Sequence, residues 1–168
     1  MIIASLHWRA MTAIDLPAVK LLADRIHPTY PEDAAVFADR LAVHCAGCFM
    51  LRHDDALIGY VISHPWHFMQ PPKLNARLGA PASRPTTYYI HDLALLPEAR
   101  RTGAAAYIVA KLVTHATHLQ LPNMTLVAVN NSVHFWQRQG FEIVSESGLD
   151  HQLRSYDQHA RFMRRDLP

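Results

Sequence analysis

The chain has 168 residues, 50% of them hydrophobic, and a formal net charge of +2 at pH 7. This length predicts one domain over residues 1–168, with enough apolar side chains for a sizeable core. The small charge, spread along the chain, favours neither nucleic acid nor a membrane surface as a partner.

The N-terminal sequence MIIASLHWRAMTAIDLP has no basic region followed by a sustained apolar run, so it does not resemble a secretory signal. The sequence has no apolar run long enough to cross a bilayer. Two cysteines do not suggest a disulfide framework. We therefore expect a cytoplasmic protein.

Apolar residues at helical spacing predict a helix over residues 15–27, and a second helix is predicted over residues 32–44. Pro28 and Pro31 interrupt the chain between these helices and leave a loop that contains Tyr30. One interpretation of this loop is a turn with an exposed aromatic side chain.

Two sequence patterns raise the question of a metal. Cys45 and Cys48 form a C-x-x-C, and His115 and His118 stand at helical spacing. A zinc site needs three or four ligands, and neither pattern has a second pair nearby in sequence. We interpret the cysteines as packing residues and expect no metal.

Residues 48–53 and 56–64 are apolar segments separated by two aspartates, which predicts an antiparallel hairpin. Residues 65–87 hold five of the eleven prolines and predict an irregular insertion. Because long loops often serve as lids or binding loops, Trp66 is a candidate pocket residue. The alternative is that the insertion packs over a sheet edge or makes a dimer contact.

The segment YIHDLALLPEARRTGAAAYIVAKL predicts an apolar strand, a tight basic turn and a long helix. Backbone N–H groups in the first turn of a helix have no intrahelical partners, and small side chains let an anion approach them. Arginines add charge-assisted hydrogen bonds to phosphate. The turn therefore predicts a site for a phosphorylated cofactor, although an ordinary basic helix start is the alternative. Its residues are Arg100, Arg101, Thr102, Gly103, Ala104 and Ala105.

A second segment, TLVAVNNSVHFWQRQGFEIV, predicts a strand over residues 125–129, a short helix over residues 132–139 and a strand over residues 141–144. Gly140 ends the short helix as a C-terminal glycine does. Beyond a polar stretch, ARFMRRDL predicts a final strand.

In this order, the two segments resemble the GNAT superfamily of acyl-CoA-dependent N-acetyltransferases. The resemblance extends over about residues 8–165, and its specific part covers residues 89–144. It implies an α/β (α+β) fold: a mixed, largely antiparallel twisted sheet flanked by helices, with two central strands splayed apart at the CoA site. It also implies acetyl-CoA as the acyl donor.

In the superfamily an R/Q-x-x-G-x-G/A turn binds the pyrophosphate of acetyl-CoA, and Arg100, Gly103 and Ala105 stand at its defining positions here. The strand before the turn holds the pantetheine arm through its backbone, which the resemblance places at Leu93, Ala94 and Leu95. The second segment is expected to line the CoA arm through Asn130, Asn131, Ser132 and Phe135.

Transfer to an amine needs a base, because a protonated amine has no lone pair with which to attack a thioester. The resemblance places this base on the strand before the turn, at His91 or Asp92. Strand alternation directs these two side chains to opposite faces unless a bulge intervenes. We favour His91, since imidazole titrates near neutral pH. The alternative is that both residues are structural.

Many members carry a tyrosine that protonates the departing thiolate, and Trp136 stands at its position. An indole N–H donates a hydrogen bond but is far too weak an acid to lose its proton. In the superfamily the two N-terminal helices form one wall of the acceptor site, which makes Tyr30 a candidate substrate contact beside Trp66.

The sequence thus predicts an N-acetyltransferase acting on a primary amine of a small molecule or peptide, by direct attack in a ternary complex. A homodimer is expected from family habit. The alternative function is a non-catalytic acyl-CoA-binding sensor or structural module.

Overall fold

The computed structural model describes residues 5–154 and 157–168. Within these ranges, one sheet contains the strands β1 (Leu6–Ala10), β2 (Cys48–His53), β3 (Ala56–Trp66), β4 (Thr87–Leu95), β5 (Asn123–Ala128), β6 (Glu142–Ile143) and β7 (Arg161–Asp166). The helices described are α1 (Leu16–Ile26), α2 (Ala34–Val43), α3 (Ala104–His118), α4 (Val133–Arg138) and α5 (Ser147–Arg154). None of these helices is long and apolar enough to span a membrane.

The strand order is β1-β2-β3-β4-β5-β7-β6. The pairs are antiparallel apart from β4 with β5, which are parallel and joined through α3. A parallel pair needs a long crossover of this kind, whereas antiparallel neighbours can follow a tight turn. The predicted mixed, largely antiparallel sheet flanked by helices is confirmed.

The two central strands separate part way along their length. Pairing between β4 and β5 runs from Tyr88 with Met124 to Ile90 with Leu126. Beyond Ile90, β4 continues to Leu95 along β3 alone. The predicted splayed strands are therefore present, and the gap between them opens after Ile90.

Helices cover both faces of the sheet. Successive residues on β3 point to opposite faces and so pack against different helices. Tyr60 and Ile62 pack in one apolar cluster with α1 and α2, whereas Val61 packs in another with Ile108 of α3. These side chains are fully buried. The alternation fixes which face each helix covers and holds β4 between the two layers.

Two elements were not predicted from the sequence. Strand β1 lies at the sheet edge beside β2, and α5 lies in the stretch interpreted only as polar. Leu149 and Leu153 of α5 stand four residues apart and pack with Phe162 of β7. Only one face of this short helix is apolar, so its composition gave little signal.

Cys48, His44 and His115 lie outside the cleft and have structural contacts. Cys45 is exposed, while burial raises the pKa of Cys48 to about 12, which makes it an unreactive thiol. His115 lies with its Nε2 3.0 Å from Nε2 of His44, and burial lowers the pKa of His44 to about 4. Among the described residues, no group of three or more His, Cys, Asp or Glu could hold a metal ion.

Asp15 ties strand β1 to the start of α1. Its carboxylate accepts two hydrogen bonds of 2.7 Å from Arg9 and one of 2.8 Å from the Thr12 backbone. The hydrogen bonds from Arg9 hold the pKa of Asp15 below its usual value. We expect Asp15→Ala to lower the free energy of unfolding by about 2 kcal/mol, measured by urea denaturation at pH 7.

The matched control is Asp24→Ala, which removes an exposed pair with Lys20 on α1 and should cost about 0.5 kcal/mol or less. Because the pKa of Asp15 is lower in the folded state, its stabilisation is present above its unfolded pKa and is lost as the pH falls through the folded value. The difference between wild type and Asp15→Ala should therefore shrink in acid. An equal loss in the two variants would contradict this role of Asp15.

Candidate active site

The gap between β4 and β5 forms a cleft with a volume of about 610 Å³. One wall is the outer part of β4, and the opposite wall comes from α4 and the segment after β5. The basic turn and the start of α3 close one end. The cleft has room for an extended ligand beside an unpaired length of strand.

Two residues of the basic turn have backbone conformations with positive φ. Gly103 adopts φ 85°, in the left-handed region that favours glycine, and a Cβ there would meet no described atom within 4 Å. Arg101 also has positive φ, at 60°. α3 begins directly afterwards at Ala104, whose N–H donates to the Thr102 hydroxyl across 3.3 Å, while Ala105 and Ala106 line the cleft beside the arginines. This arrangement suits a pyrophosphate.

The six predicted turn residues divide into two groups. Arg100, Arg101, Gly103 and Ala105 line the cleft. Thr102 instead supports the turn, because its hydroxyl donates to the Ala99 carbonyl at 2.6 Å. The carbonyl of Ala104 accepts a hydrogen bond of 2.9 Å from the Trp8 indole, and its side chain is buried.

Most of the other predicted cofactor residues line the larger cleft. The cleft-lining members are Leu93, Ala94, Leu95, Asn130, Ser132 and Phe135. Asn131 is exposed and, within the described residues, does not line the cleft. Trp136 lines the cleft, is 6% exposed, and packs edge-on against Phe135 and Phe141.

A smaller cavity, of about 80 Å³, lies on the α1 and α2 side of β4. Its lining includes Tyr30, Glu32 and Tyr89. Two residues of the 65–87 insertion, Pro72 and Leu74, also line it. Among the described residues, five line both cavities: His27, His91, Asp92, Val127 and Val129. The two cavities therefore meet at the middle of β4.

A β-bulge places two neighbouring polar residues at this junction. Ile62 of β3 pairs with Asp92, but the next residue, Ser63, pairs with Ile90, so His91 is an extra residue on β4. A bulge of this kind changes the direction in which neighbouring side chains point. Both His91 and Asp92 consequently line both cavities, which simple alternation along the strand would not allow.

His91 forms a pair with a carboxylate of the α1–α2 loop. Its Nε2 lies 2.8 Å from Oε1 of Glu32, and Oε2 of Glu32 accepts a hydrogen bond of 3.0 Å from the Asn75 backbone. The His91 and Glu32 side chains are only 9% and 8% exposed. Burial alone would raise the pKa of Glu32, but the hydrogen bond and charge of His91, together with the hydrogen bond from the Asn75 backbone, outweigh burial and lower the pKa. Glu32 therefore stays ionised.

Asp92 forms a second pair with a histidine, at the end of α1. Nε2 of His27 lies 2.9 Å from Oδ1 of Asp92, and the Tyr60 hydroxyl donates to Oδ2. Burial opposes ionisation of both members, yet their mutual attraction lowers the pKa of Asp92 and raises that of His27. Nδ1 of His27 lies 3.0 Å from Nδ2 of Asn130. The pair thus connects α1, β4 and the segment after β5.

His27 and Glu32 were not predicted as site residues. His27 lies at the end of a predicted helix, and Glu32 at the start of the next, 65 and 59 residues from their partners Asp92 and His91. Neither belongs to a local motif. The proline-bounded loop between the helices was the nearest available signal.

The two predicted acceptor contacts have different positions. Tyr30 lines the smaller cavity, and its hydroxyl donates to Asp157. Burial raises the pKa of Tyr30 to about 12, so the phenol stays protonated. Trp66 donates its indole N–H to the Gln70 carbonyl at 2.8 Å. In the described part of the chain, Trp66 lines neither cavity.

A twisted sheet split at a parallel pair, with a basic glycine turn leading into a helix at the split, defines an acyltransferase fold with a site for a CoA-type ligand. Residues 6–141 match the family described as the acetyltransferase (GNAT) family. The match covers most of the chain, which therefore belongs to this family. No curated protein sequence gives a significant match.

Solved structures with the same fold cover nearly the whole chain. Ard1 from Thermoplasma volcanium is 15% identical, with 99% of each chain covered and a TM-score of 0.72. Naa50 from Arabidopsis thaliana, in complex with the bisubstrate analogue CoA-Ac-MVNAL, is 15% identical over 96% of this chain and 98% of its own, with a TM-score of 0.70. The GphF GNAT-like decarboxylase, in complex with isobutyryl-CoA, is 16% identical over 96% of this chain and 100% of its own, with a TM-score of 0.79.

Proposed function

We propose that this protein is an N-acetyltransferase that moves an acetyl group from acetyl-CoA to a primary amine of a small molecule or peptide. The observation that carries the proposal is the junction of the two cavities at His91 of β4, which pairs with the Glu32 carboxylate of the α1–α2 loop. A donor in the larger cleft and an acceptor in the smaller cavity would meet at this junction. Direct attack in a ternary complex needs that arrangement.

His91 is the proposed base. Its Nε2–H donates to Glu32 in the observed contact of 2.8 Å, which leaves Nδ1 as the ring nitrogen with the lone pair. A carboxylate that fixes the tautomer and stabilises the imidazolium is the arrangement used by hydrolytic triads. Glu32 therefore acts as a positioning residue for His91.

The larger cleft offers the groups that an acyl-CoA donor requires. Arg100 and Arg101 would bind the pyrophosphate together with the first N–H groups of α3. The outer part of β4 has backbone free of β5, so Leu93 to Leu95 would hold the pantetheine arm. A backbone N–H near Leu95 would polarise the thioester carbonyl.

The smaller cavity would bind the acceptor. Its volume of about 80 Å³ admits only the end of a molecule, so the remainder of the acceptor would extend outward past Tyr30. The Glu32 and Asp92 carboxylates line it, and their negative charge attracts an amine that arrives in its protonated form. The free Cys45 and Cys48 thiols agree with the proposed cytoplasmic location.

One observation favours the alternative function, a non-catalytic acyl-CoA sensor or structural module. Trp136 stands where many family members carry the tyrosine acid, and it packs between Phe135 and Phe141 as a core residue does. A protein that only binds CoA has no need of an acid there.

A thiol-release assay tests the proposal. Purified protein is incubated with acetyl-CoA and a panel of primary amines, including amino acids, polyamines and short peptides with free N-termini, and free thiol is measured together with the acetylated product. We expect amine-dependent thiol release in which product and thiol are equimolar. Saturable CoA binding by calorimetry without turnover on any amine would support the sensor and contradict the enzyme.

A further inference from the structure

Acetyl transfer from a thioester needs two proton transfers at one place. The amine must lose a proton as the C–N bond forms, and the sulfur is stabilised by gaining one as the C–S bond breaks. Both events belong where the larger cleft meets the smaller cavity. Among the described residues that line both, the titratable ones are His27, His91 and Asp92.

Two of these three groups are unsuited to protonating sulfur. Asp92 is held as a carboxylate by hydrogen bonds from His27 and Tyr60, so it carries no proton to give. His91, with its Nε2 committed to Glu32, is the proposed acceptor of the amine proton. Trp136 lines the cleft, but its indole N–H is not an acid.

We propose that His27 is the acid that protonates the departing CoA sulfur, and that Asp92 is its positioning residue. This inference rests on the proposed acetyltransferase function. The imidazolium of His27 keeps Nε2–H on Asp92 and transfers the Nδ1 proton. Nδ1 faces Asn130, in the segment after β5 that forms the far wall of the cleft.

The two proton transfers balance when His91 acts as the base and His27 as the acid. The amine proton goes to Nδ1 of His91 as the C–N bond forms, the C–S bond breaks, and the sulfur takes the proton of His27. The products are the acetylated amine and the CoA thiol, and solvent returns the two histidines to their starting states. Proton transfer from imidazolium to thiolate is favourable, because a thiol has a reference pKa of about 8.5 and a histidine about 6.5.

The surroundings of His27 favour the charged ring. Asp92 on β4 contacts it directly, and the Glu32 carboxylate in the loop after α1 adds a favourable charge. Although burial opposes the charge, these carboxylates raise the pKa of His27 overall. Tyr60 on β3 contributes a neutral hydroxyl to Asp92, and His91 is the neighbouring group of like charge when protonated.

The contact with Asn130 can serve both states of the ring. In the observed orientation Nδ2 of Asn130 lies 3.0 Å from Nδ1 of His27 and donates to the neutral imidazole. Turning the amide by half a rotation presents its carbonyl oxygen, which accepts from the imidazolium. Asn130 is exposed, so its amide can turn away from the ring and leave the Nδ1 proton to the sulfur.

The test compares pH profiles of kcat in the full-length protein with an amine found active in the thiol-release screen. For wild type, kcat should fall at alkaline pH as the acid loses its proton. For His27→Gln, whose amide can still donate to Asp92, we expect kcat to drop about 10²-fold and the alkaline fall to disappear. CoA affinity, measured by calorimetry, should stay unchanged. His7→Gln makes the same change on β1 at an exposed residue and should match wild type.

Two further variants separate acid chemistry from structural support. Trp136→Tyr in the His27→Gln background introduces a phenol at the cleft and should recover part of the lost kcat, which a purely structural role of His27 would not allow. Asp92→Asn removes the charge that favours the imidazolium, so the alkaline fall should move to lower pH.

The outcomes distinguish the two proposals. Unchanged kcat and an unchanged alkaline fall in His27→Gln would overturn the acid assignment alone. Failure of wild type to release thiol with any amine would overturn the acetyltransferase function and the assignment with it. If His27→Gln does not fold, ring ¹⁵N resonances of wild type bound to CoA decide the matter: a His27 ring that stays neutral between about pH 6 and 8 overturns the assignment, and an imidazolium supports it.

Discussion

Replacing His91 with glutamine is expected to lower kcat by about 10²–10⁴-fold, which is the range for loss of a general base. The glutamine amide can still donate a hydrogen bond to Glu32, as Nε2 of His91 does across 2.8 Å, but it cannot accept a proton. The acidic fall of kcat/KM should also disappear, because it reports protonation of the base in the free enzyme. Steady-state thiol release across a pH series measures both effects.

The His91 variant should bind acetyl-CoA as wild type does, because the basic turn proposed to bind the pyrophosphate consists of other residues of the cleft. His7→Gln, at an exposed position on the edge strand β1, is the matched control for the loss of one imidazole. A kcat for His91→Gln equal to wild type over the whole pH series would remove His91 as the base. Loss of CoA affinity with kcat unchanged at saturation would instead assign it to cofactor binding.

Replacing both Arg100 and Arg101 with alanine is expected to raise the Kd for CoA by about 10²-fold. Both side chains are exposed at the cleft, so we take the low end for a charged hydrogen bond, about 1.5 kcal/mol each, and each 1.4 kcal/mol is tenfold in Kd. Calorimetric titration with CoA measures the change. The Tm without ligand should stay close to wild type, because neither arginine has a buried partner among the residues that the structure describes.

The control for this pair is Arg52→Ala with Arg77→Ala. This control also removes two positive charges, but from residues outside both cavities. It should leave the Kd for CoA near the wild-type value. Raising the salt concentration should weaken CoA binding by wild type more than by the Arg100 and Arg101 variant, since salt screens exposed charges. Equal affinity of the two double variants would show that the basic turn is not the pyrophosphate site.

The sequence indicated the fold because its strongest signals are local. The turn from Arg100 to Ala105 and the glycine that ends α4 are each contained in a few neighbouring residues, and they mark where the sheet splits. The helix bounds were right to within a few residues because apolar side chains recur at the helical period. Short amphipathic or edge elements such as α5 and β1 carry much weaker periodicity and were missed.

The active-site residues were harder to predict because they depend on register and on distant contacts. His91 and Asp92 were expected on opposite faces unless a bulge intervened, and the register shift between Ile62 and Ser63 in the β3–β4 pairing brings both to the cavities. His27 directly follows α1, and Glu32 lies in the loop before α2. No short-range pattern links either residue to β4, so a single sequence gives no reason to pair them with Asp92 and His91.

The split between β4 and β5 has a consequence for how the molecule holds together. Within the described residues, the backbone pairing between the β1–β4 half of the sheet and the β5–β7 half runs only from Tyr88 to Ile90. A CoA molecule in the cleft would contact both halves of the sheet and help to hold them together. A ligand at 100 times its Kd adds about 2.7 kcal/mol to the free energy of unfolding. Bound CoA would then make the fold more resistant to unfolding.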